Sequence, residues 1–370
     1  MIDKDHFKLE QVFSGFKTEA SFRTASRIGS GHINDTFRIT TTNAHASFVL
    51  QRINSSIFKD IPGLMRNIGI VTRHLEKKIL SGDPHASSFS VLRLIPSADG
   101  ELYLRDPEGE YWRLYNFIEG SKSYDIVESP GLAMEGGRAF GLFQYLTSDI
   151  TAGELTETIP HFHDLGKRLG TFRDTVLKDP VKRADEVRKE IDFIEKRSSE
   201  MMLIPELGRA GKIPLRVTHN DTKFNNILFT GKNRATCIVD LDTVMPGYIL
   251  YDFGDAIRTG ANPAMEDEKD LRKIRIDLEL FEAYSKGYLE TARQFLNATE
   301  IRNLARSAGF MTFIIGLRFL TDHIDGDHYY RILFPGHNLR RARAQFRLLE
   351  SIEENAERME EIVQRAAKGV

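Results

Sequence analysis

His219, Asp221, Lys223 and Asn226 fall within eight residues of the stretch VTHNDTKFNNILF. A carboxylate beside a hydroxyl can accept or orient its proton. Amide and carboxylate oxygens can hold a hard divalent cation, and an ammonium can offset charge that develops on a phosphoryl group. Phosphoryl transfer to a hydroxyl requires all three together.

The spacing His219-x-Asp221-x-x-x-x-Asn226 is the one at which protein kinases set out their catalytic loop. Lys223 falls where a γ-phosphate-contacting Lys sits. A metal needs a further carboxylate, and CIVDLDTVMPG offers Asp240 and Asp242 at the end of an apolar run. Period-two spacing would put both on one face of a strand. Asn226, Asp240 and Asp242 are therefore the candidate metal ligands; Asp221, Lys223 and His219 form the candidate catalytic set. Upstream, IGSGHIND contains Gly29 and Gly31, whose turn could aim backbone N–H groups at phosphates. Each motif alone has an ordinary reading as a turn or a solvated strand end. Their common spacing behind a β-rich segment points to a magnesium–nucleotide site.

The elements that must position these residues divide the chain. FRTASRIGS, INDTFRITTT and SFVLQRIN read as strands. GLMRNIGIVTRHLEKKI places Leu64, Ile68, Val71, Leu75 and Ile79 at helical spacing. SVLRLIPSADGELYLRDPEGEYWRLYNFI reads as a β-meander with ADG and DPEG turns. That makes one helix in the first ~115 residues. From about residue 131 the pattern is helical, interrupted by a hairpin around LRVTHNDTKFNNILFTGKNRATCIVDLDTV. The expected fold is α+β and bilobal, protein-kinase-like: a small β-rich N-lobe over residues 1–117 and a large, mainly helical C-lobe over 118–370. The join near Tyr115 to Gly120 would serve as a hinge, with Asn116 and Phe117 beside a nucleotide base.

Composition excludes several other classes. Lys plus Arg number 51 and Asp plus Glu 53, a net charge of −2, which does not suit a nucleic-acid binder. The basic run LRRARAQFR carries apolar residues at helical spacing and reads as a solvated helix face. The N-terminus lacks a signal-peptide pattern, and no apolar run approaches the roughly 20 residues of a membrane span. Cytoplasmic location is the expectation. The single cysteine, Cys237, sits in an apolar run and should pack as a small hydrophobe.

VTHNDTKFNNILF with VIDLDTVMPG resembles the aminoglycoside phosphotransferase/choline kinase superfamily. GSGHINDTF, VLQRIN, LTETIPHFHD, YDFGDAIR, LRFLTDHIDGDHYYRI and HNLRRARAQFRLLESIE extend the resemblance over most of the chain. Together they are similar to the bacterial N-acetylhexosamine 1-kinases. That resemblance implies ATP and Mg²⁺ as cofactors and the anomeric hydroxyl of an N-acetylhexosamine as acceptor. It implies Asp221 as base, Asn226 and Asp240 as metal ligands, Asp242 as an auxiliary carboxylate, and His219 as a brace for the loop backbone. For the sugar it carries over His32, Arg318 and Tyr329, with Asp221 on the reacting hydroxyl.

One departure stands out. Kinases place a Lys in the third strand to bind phosphates, but FVLQRIN has Gln51 and Arg52. Arg52 would replace the Lys if its register faces the cleft, and Glu76 on the helix reads as a surface charge. HFHD (His161, His163, Asp164) lacks further ligands at zinc spacing and reads as a loop against the cleft. The alternative functions are a kinase of another small alcohol (choline, homoserine or an aminoglycoside) and a nucleotide-binding regulator without catalysis.

Overall fold

The computed structural model describes residues 4–29, 33–42, 47–86 and 89–369. Alternating apolar positions build an antiparallel sheet from β1 (Phe22–Arg27), β2 (Asp35–Thr41), β3 (Ser47–Ile53), β4 (Leu94–Ile95), β5 (Leu104–Arg105) and β6 (Tyr111–Asn116), in the order β1-β2-β3-β6-β4. Leu50 of β3 pairs in register with Phe37 and Leu114. It is buried with Leu9, Val12 and Phe13 of a helix, α1 (Lys4–Ser14). The opposite face, carrying Val49 and Ile53, joins the main core together with helix α2 (Ile61–Leu80). Asp60 caps α2 by accepting the Gly63 N–H, and Leu64, Ile68, Val71 and Leu75 are buried as their spacing predicts.

Two expectations for this lobe are corrected. It contains two helices, because α1 covers the outer sheet face that would otherwise leave Leu50 and Leu114 in water. The segment after residue 91 is not a meander. The two-residue strands β4 and β5 both pair with β6, end to end along the edge left free by β3.

The larger region is helical, as expected. It comprises α3 (Pro130–Thr147), α4 (Leu165–Lys178), α5 (Arg188–Met201), α6 (Leu203–Arg209), α7 (Ile249–Gly260), α8 (Leu278–Ala292), α9 (Ala298–Asp325), α10 (His337–Glu354) and α11 (Ala356–Lys368). Two short ribbons are embedded in it. One joins β7 (Arg216–Thr218) to β10 (Met245–Gly247), the other β8 (Ile227–Thr230) to β9 (Arg234–Ile238). The basic stretch of α10 buries Ala342, Phe346, Leu349 and Ile352, and its Arg343 pairs with Glu190, so a solvated amphipathic face is what forms. Cys237 is buried, and burial pushes its thiol up to about 12.

By length and composition α9 is apolar enough to cross a membrane, contrary to the expectation from run lengths; most of it is buried against α4, α7, α10 and α11 as a core helix. Close packing of α3 on α8 depends on glycine: a Cβ at Gly287 would lie 2.1 Å from the Met134 carbonyl oxygen, and one at Gly137 would lie 2.2 Å from that of Tyr284.

Candidate active site

The loop after β7 is held from behind. Asp252, buried at the start of α7, accepts the N–H groups of His219 at 2.8 Å and Asn220 at 2.7 Å, and Gln144 of α3 donates to it at 2.7 Å. Asn220 adopts left-handed backbone (φ 63°), which Asn tolerates better than most residues. Its side-chain amide reaches the Thr218 hydroxyl and the Thr243 carbonyl. His219 donates from Nε2 to the Val239 carbonyl at 2.9 Å and accepts the Asp221 N–H at Nδ1, 3.3 Å away. With no exposed surface, His219 braces the loop backbone from behind.

Asp221 emerges from this frame half-buried. One carboxylate oxygen meets Lys223 Nζ at 2.9 Å and the other accepts Asn226 Nδ2 at 3.1 Å. Burial alone would raise this carboxyl. The Lys223 ammonium, then His219 and the Asn226 amide, outweigh burial and leave Asp221 below the ordinary carboxylate value. Asp221 is therefore ionised at neutral pH and able to orient a hydroxyl.

Strand β9 ends at Ile238, so Asp240 and Asp242 do not share a strand face as their spacing suggests. Asp240 takes left-handed backbone (φ 61°), and residues 241–243 form one turn of 3₁₀ helix. The carboxylates consequently diverge. Asp242 is buried: Oδ1 accepts Arg113 and Oδ2 accepts Asn34 Nδ2 at 2.5 Å. Asp240 keeps an exposed edge although protein surrounds the rest of it, and it has no side-chain partner among the described residues. It stands beside other carboxylates, and its carboxyl is raised to about 7 by burial first, then by Asp242 and Asp221. The donor set suits magnesium, which takes hard oxygen ligands: an unpartnered carboxylate on Asp240, plus the Asn226 amide oxygen left over once its nitrogen has bonded Asp221. Asp242 already accepts one hydrogen bond on each oxygen, so of the two neighbouring carboxylates Asp240 is the one without a partner.

The other expected positions divide. Gly29 follows β1 with φ 79°; Gly31 and His32 lie outside the described residues. Asn116 ends β6 and exchanges hydrogen bonds with the Arg93 backbone. Phe117 donates its N–H to Ser47 and lies under the Arg38 guanidinium at 4.2 Å. Arg52 is corrected. It pairs in register with Trp112, on the α1 face, and its guanidinium binds Asp35. Gln51 takes the inner face instead, and side chains alternate across a strand, so Arg52 cannot replace the missing Lys. Glu76 forms an ion pair with Arg93 at 2.8 Å.

Arg318 of α9 is buried, with its guanidinium over Phe162, Tyr329 and Tyr330 and one nitrogen 3.3 Å from the Tyr329 hydroxyl. Asp322 is engaged by the N–H groups of Tyr329 and Tyr330, so it does not pair with Arg318. Of the HFHD motif, Asp164 caps α4, while His163 turns inward with Nε2 3.4 Å from the Asn220 carbonyl oxygen. Burial, then Arg318 and Arg168, push its imidazole down to about 3, so it is neutral. His163 Nδ1 and the Nε atoms of Arg168 and Arg318 are buried and unpartnered among the described residues.

Arg113, Asp252, His163 and Arg168 were not legible as site residues. Only YDFGDAIR and LTETIPHFHD, within the resemblance, marked the segments of Asp252 and His163. Arg113, inside the strand sequence YWRLYN, carried no signal.

Residues 24–298 match the model of a family described as "Phosphotransferase enzyme family". The chain is also similar to solved structures at identities that speak to fold alone. An aminoglycoside phosphotransferase from Alicyclobacillus acidocaldarius subsp. acidocaldarius DSM 446 has 12% identity and a TM-score of 0.62, covering 97% of this chain and 96% of that one. A choline kinase from Cryptosporidium parvum Iowa II has 15% identity and a TM-score of 0.56, with 96% and 97% covered. A spectinomycin phosphotransferase in complex with ADP and spectinomycin has 12% identity and a TM-score of 0.56, with 98% of each covered. The family match spans well over half the chain and includes Asp221, Asn226 and Asp240; this protein belongs to the phosphotransferase enzyme family.

Proposed function

We propose that the protein transfers the γ-phosphoryl group of ATP, as its magnesium complex, to the anomeric hydroxyl of an N-acetylhexosamine. Asp221 orients the acceptor hydroxyl and takes its proton as the bond to phosphorus forms. Lys223 neutralises charge on the transferred group. Asp240 and Asn226 would hold Mg²⁺, which would supply positive charge against the phosphates. Location in the cytoplasm is part of the same reading.

The observation that carries the acceptor class is the buried cluster of side chains that meets the Asp221 loop through His163 and the Asn220 carbonyl. Two guanidiniums, a neutral imidazole and aromatic rings meet there, and neither Arg168 nor Arg318 forms an ion pair with a described carboxylate. Burial, then Arg318, lower the Arg168 guanidinium below its ordinary value. A cluster of this kind beside an acceptor repels a cation and welcomes carbonyl and hydroxyl oxygens. This opposes the cationic acceptors named for the fold neighbours, choline and aminoglycosides, and suits an acetamido sugar. The anomeric position follows from the resemblance to sugar 1-kinases. A second reading, a carboxylate-bearing alcohol such as homoserine, is favoured by the same two guanidiniums.

The test is ADP release with Mg-ATP and a panel of N-acetylglucosamine, N-acetylgalactosamine, glucose, choline, homoserine and kanamycin, with the phosphorylated position read by NMR. A 1-phosphate from an N-acetylhexosamine is expected. Turnover confined to homoserine selects the second reading. Preference for choline or kanamycin overturns the pocket argument, and no turnover with any acceptor favours the non-catalytic regulator.

A further inference from the structure

Asp242 is the meeting point of three segments. Its Oδ1 accepts the guanidinium of Arg113 from β6. Its Oδ2 accepts Asn34 Nδ2 at 2.5 Å, from the segment entering β2, and its backbone carbonyl accepts the Thr158 hydroxyl at 3.0 Å. Arg113 is almost fully enclosed, and its Nε donates to Gln51 Oε1 at 2.9 Å. Gln51 Nε2 in turn donates to the Thr36 hydroxyl at 2.9 Å. Asn34 Oδ1 accepts the Asn54 N–H at 3.0 Å. The chain Thr36–Gln51–Arg113–Asp242–Asn34 thus runs from the β2–β3 pair, across the sheet to β6, to the loop two residues beyond Asp240, and back.

This circuit explains the residue found in place of the third-strand Lys. Gln51 has an acceptor oxygen for the guanidinium and a donor nitrogen for Thr36, whereas Lys is donor-only and would leave Arg113 Nε without a partner. It also explains why one of two neighbouring carboxylates is free for a cation. We propose that Arg113 is a positioning residue: through Asp242 it couples the loop carrying Asp240 to the sheet segment at residues 33–36, and Asp242 is the acceptor of this latch and not a metal ligand. Only the metal arm of the test rests on the magnesium–nucleotide reading.

The experiment compares full-length wild type with Arg113→Met, Arg113→Lys and Arg113→Met/Asp242→Asn. Removing one partner leaves a buried unpaired charge, so the double variant, which removes both, is the form to use if Arg113→Met does not fold. In nucleotide-free protein, hydrogen exchange by mass spectrometry should speed up at residues 33–36 and 239–243 together, while α3 and α8 amides keep wild-type rates. In the presence of ADP, Mn²⁺ affinity read by electron paramagnetic resonance should fall about ten-fold or more in Arg113→Met, the usual range for groups that orient a metal ligand. Arg113→Lys retains the charge and should recover most of that loss.

Tighter or unchanged Mn²⁺ binding in Arg113→Met would overturn the proposal, because freeing a true ligand strengthens a site. So would exchange that rises uniformly over the whole chain, or at only one of the two segments. If wild type binds no Mn²⁺ with ADP yet the two segments still loosen together, the latch stands and the nucleotide reading falls.

Discussion

Asp221 and Asp240 lie in one cleft but have opposite electrostatics. Lys223 and Asn226 stabilise the charged form of Asp221, and neighbouring carboxylates destabilise that of Asp240. Replacing Asp221 with Asn keeps the shape and hydrogen-bonding reach but removes the proton acceptor. We expect turnover to fall by about 10²–10⁴ with nucleotide affinity nearly unchanged, measured by steady-state rates and ADP titration. Wild-type rates would remove Asp221 from its role. Asp240 leads to a pH prediction. Its folded value, about 7, lies above the unfolded carboxylate value. The protonated group therefore favours the metal-free folded chain, and this contribution is lost as pH rises through about 7. Mg²⁺ must displace that proton. Metal-free melting temperature should fall slightly from pH 6 to pH 8, while Mg²⁺ affinity and Mg²⁺-dependent stabilisation rise. Calorimetry in two buffers of different ionisation heat should detect proton release at pH 6. Affinity independent of pH would exclude Asp240 as a ligand.

At the scale of elements, the reacting side chains inherit their positions from helices that never meet substrate. Asp252 on α7 receives two loop N–H groups and Gln144 of α3, so the loop follows the packing of those helices. The α3 contact with α8 has no room for a methyl group at Gly287, where the obstacle is backbone carbonyl oxygen and not a movable side chain. Gly287→Ala should therefore destabilise the protein by about 1–3 kcal/mol, read as a lower denaturation midpoint. An unchanged midpoint would mean that α3 and α8 separate more easily than their packing implies.

Over the whole molecule, the hydrophobic core is divided between two clusters. The smaller one, with Leu50, Ile39, Leu114 and the inner face of α1, supports the sheet; the larger runs through α2 into the helical region. Leu50→Ala removes a fully buried side chain from the smaller cluster and should cost about 2–5 kcal/mol. Because that cluster is separate, hydrogen exchange should accelerate in β1–β3 and stay slow in α3 and α8. Acceleration over the entire chain would show that the two regions open as one unit.

The local sequence by itself determined the α+β class with its β-rich and helical parts, the α2 face, the amphipathic α10 and the candidacy of Asp221, Asn226 and Asp240. These follow from periodicity and from spacing within one short loop, both set by neighbours along the chain. Tertiary structure alone decided the partners of Asp242, Arg52 and Arg113. Asp240 and Asp242 look equivalent on paper; a left-handed residue and a turn of 3₁₀ helix send one to the cleft and the other to Arg113, 129 residues away. Strand pairing decided that Gln51 and not Arg52 faces inward, and a one-residue change of register reverses such an assignment. Helix α1 and the shared edge of β6 were equally hidden, since both answer to surfaces that exist only once the sheet has formed.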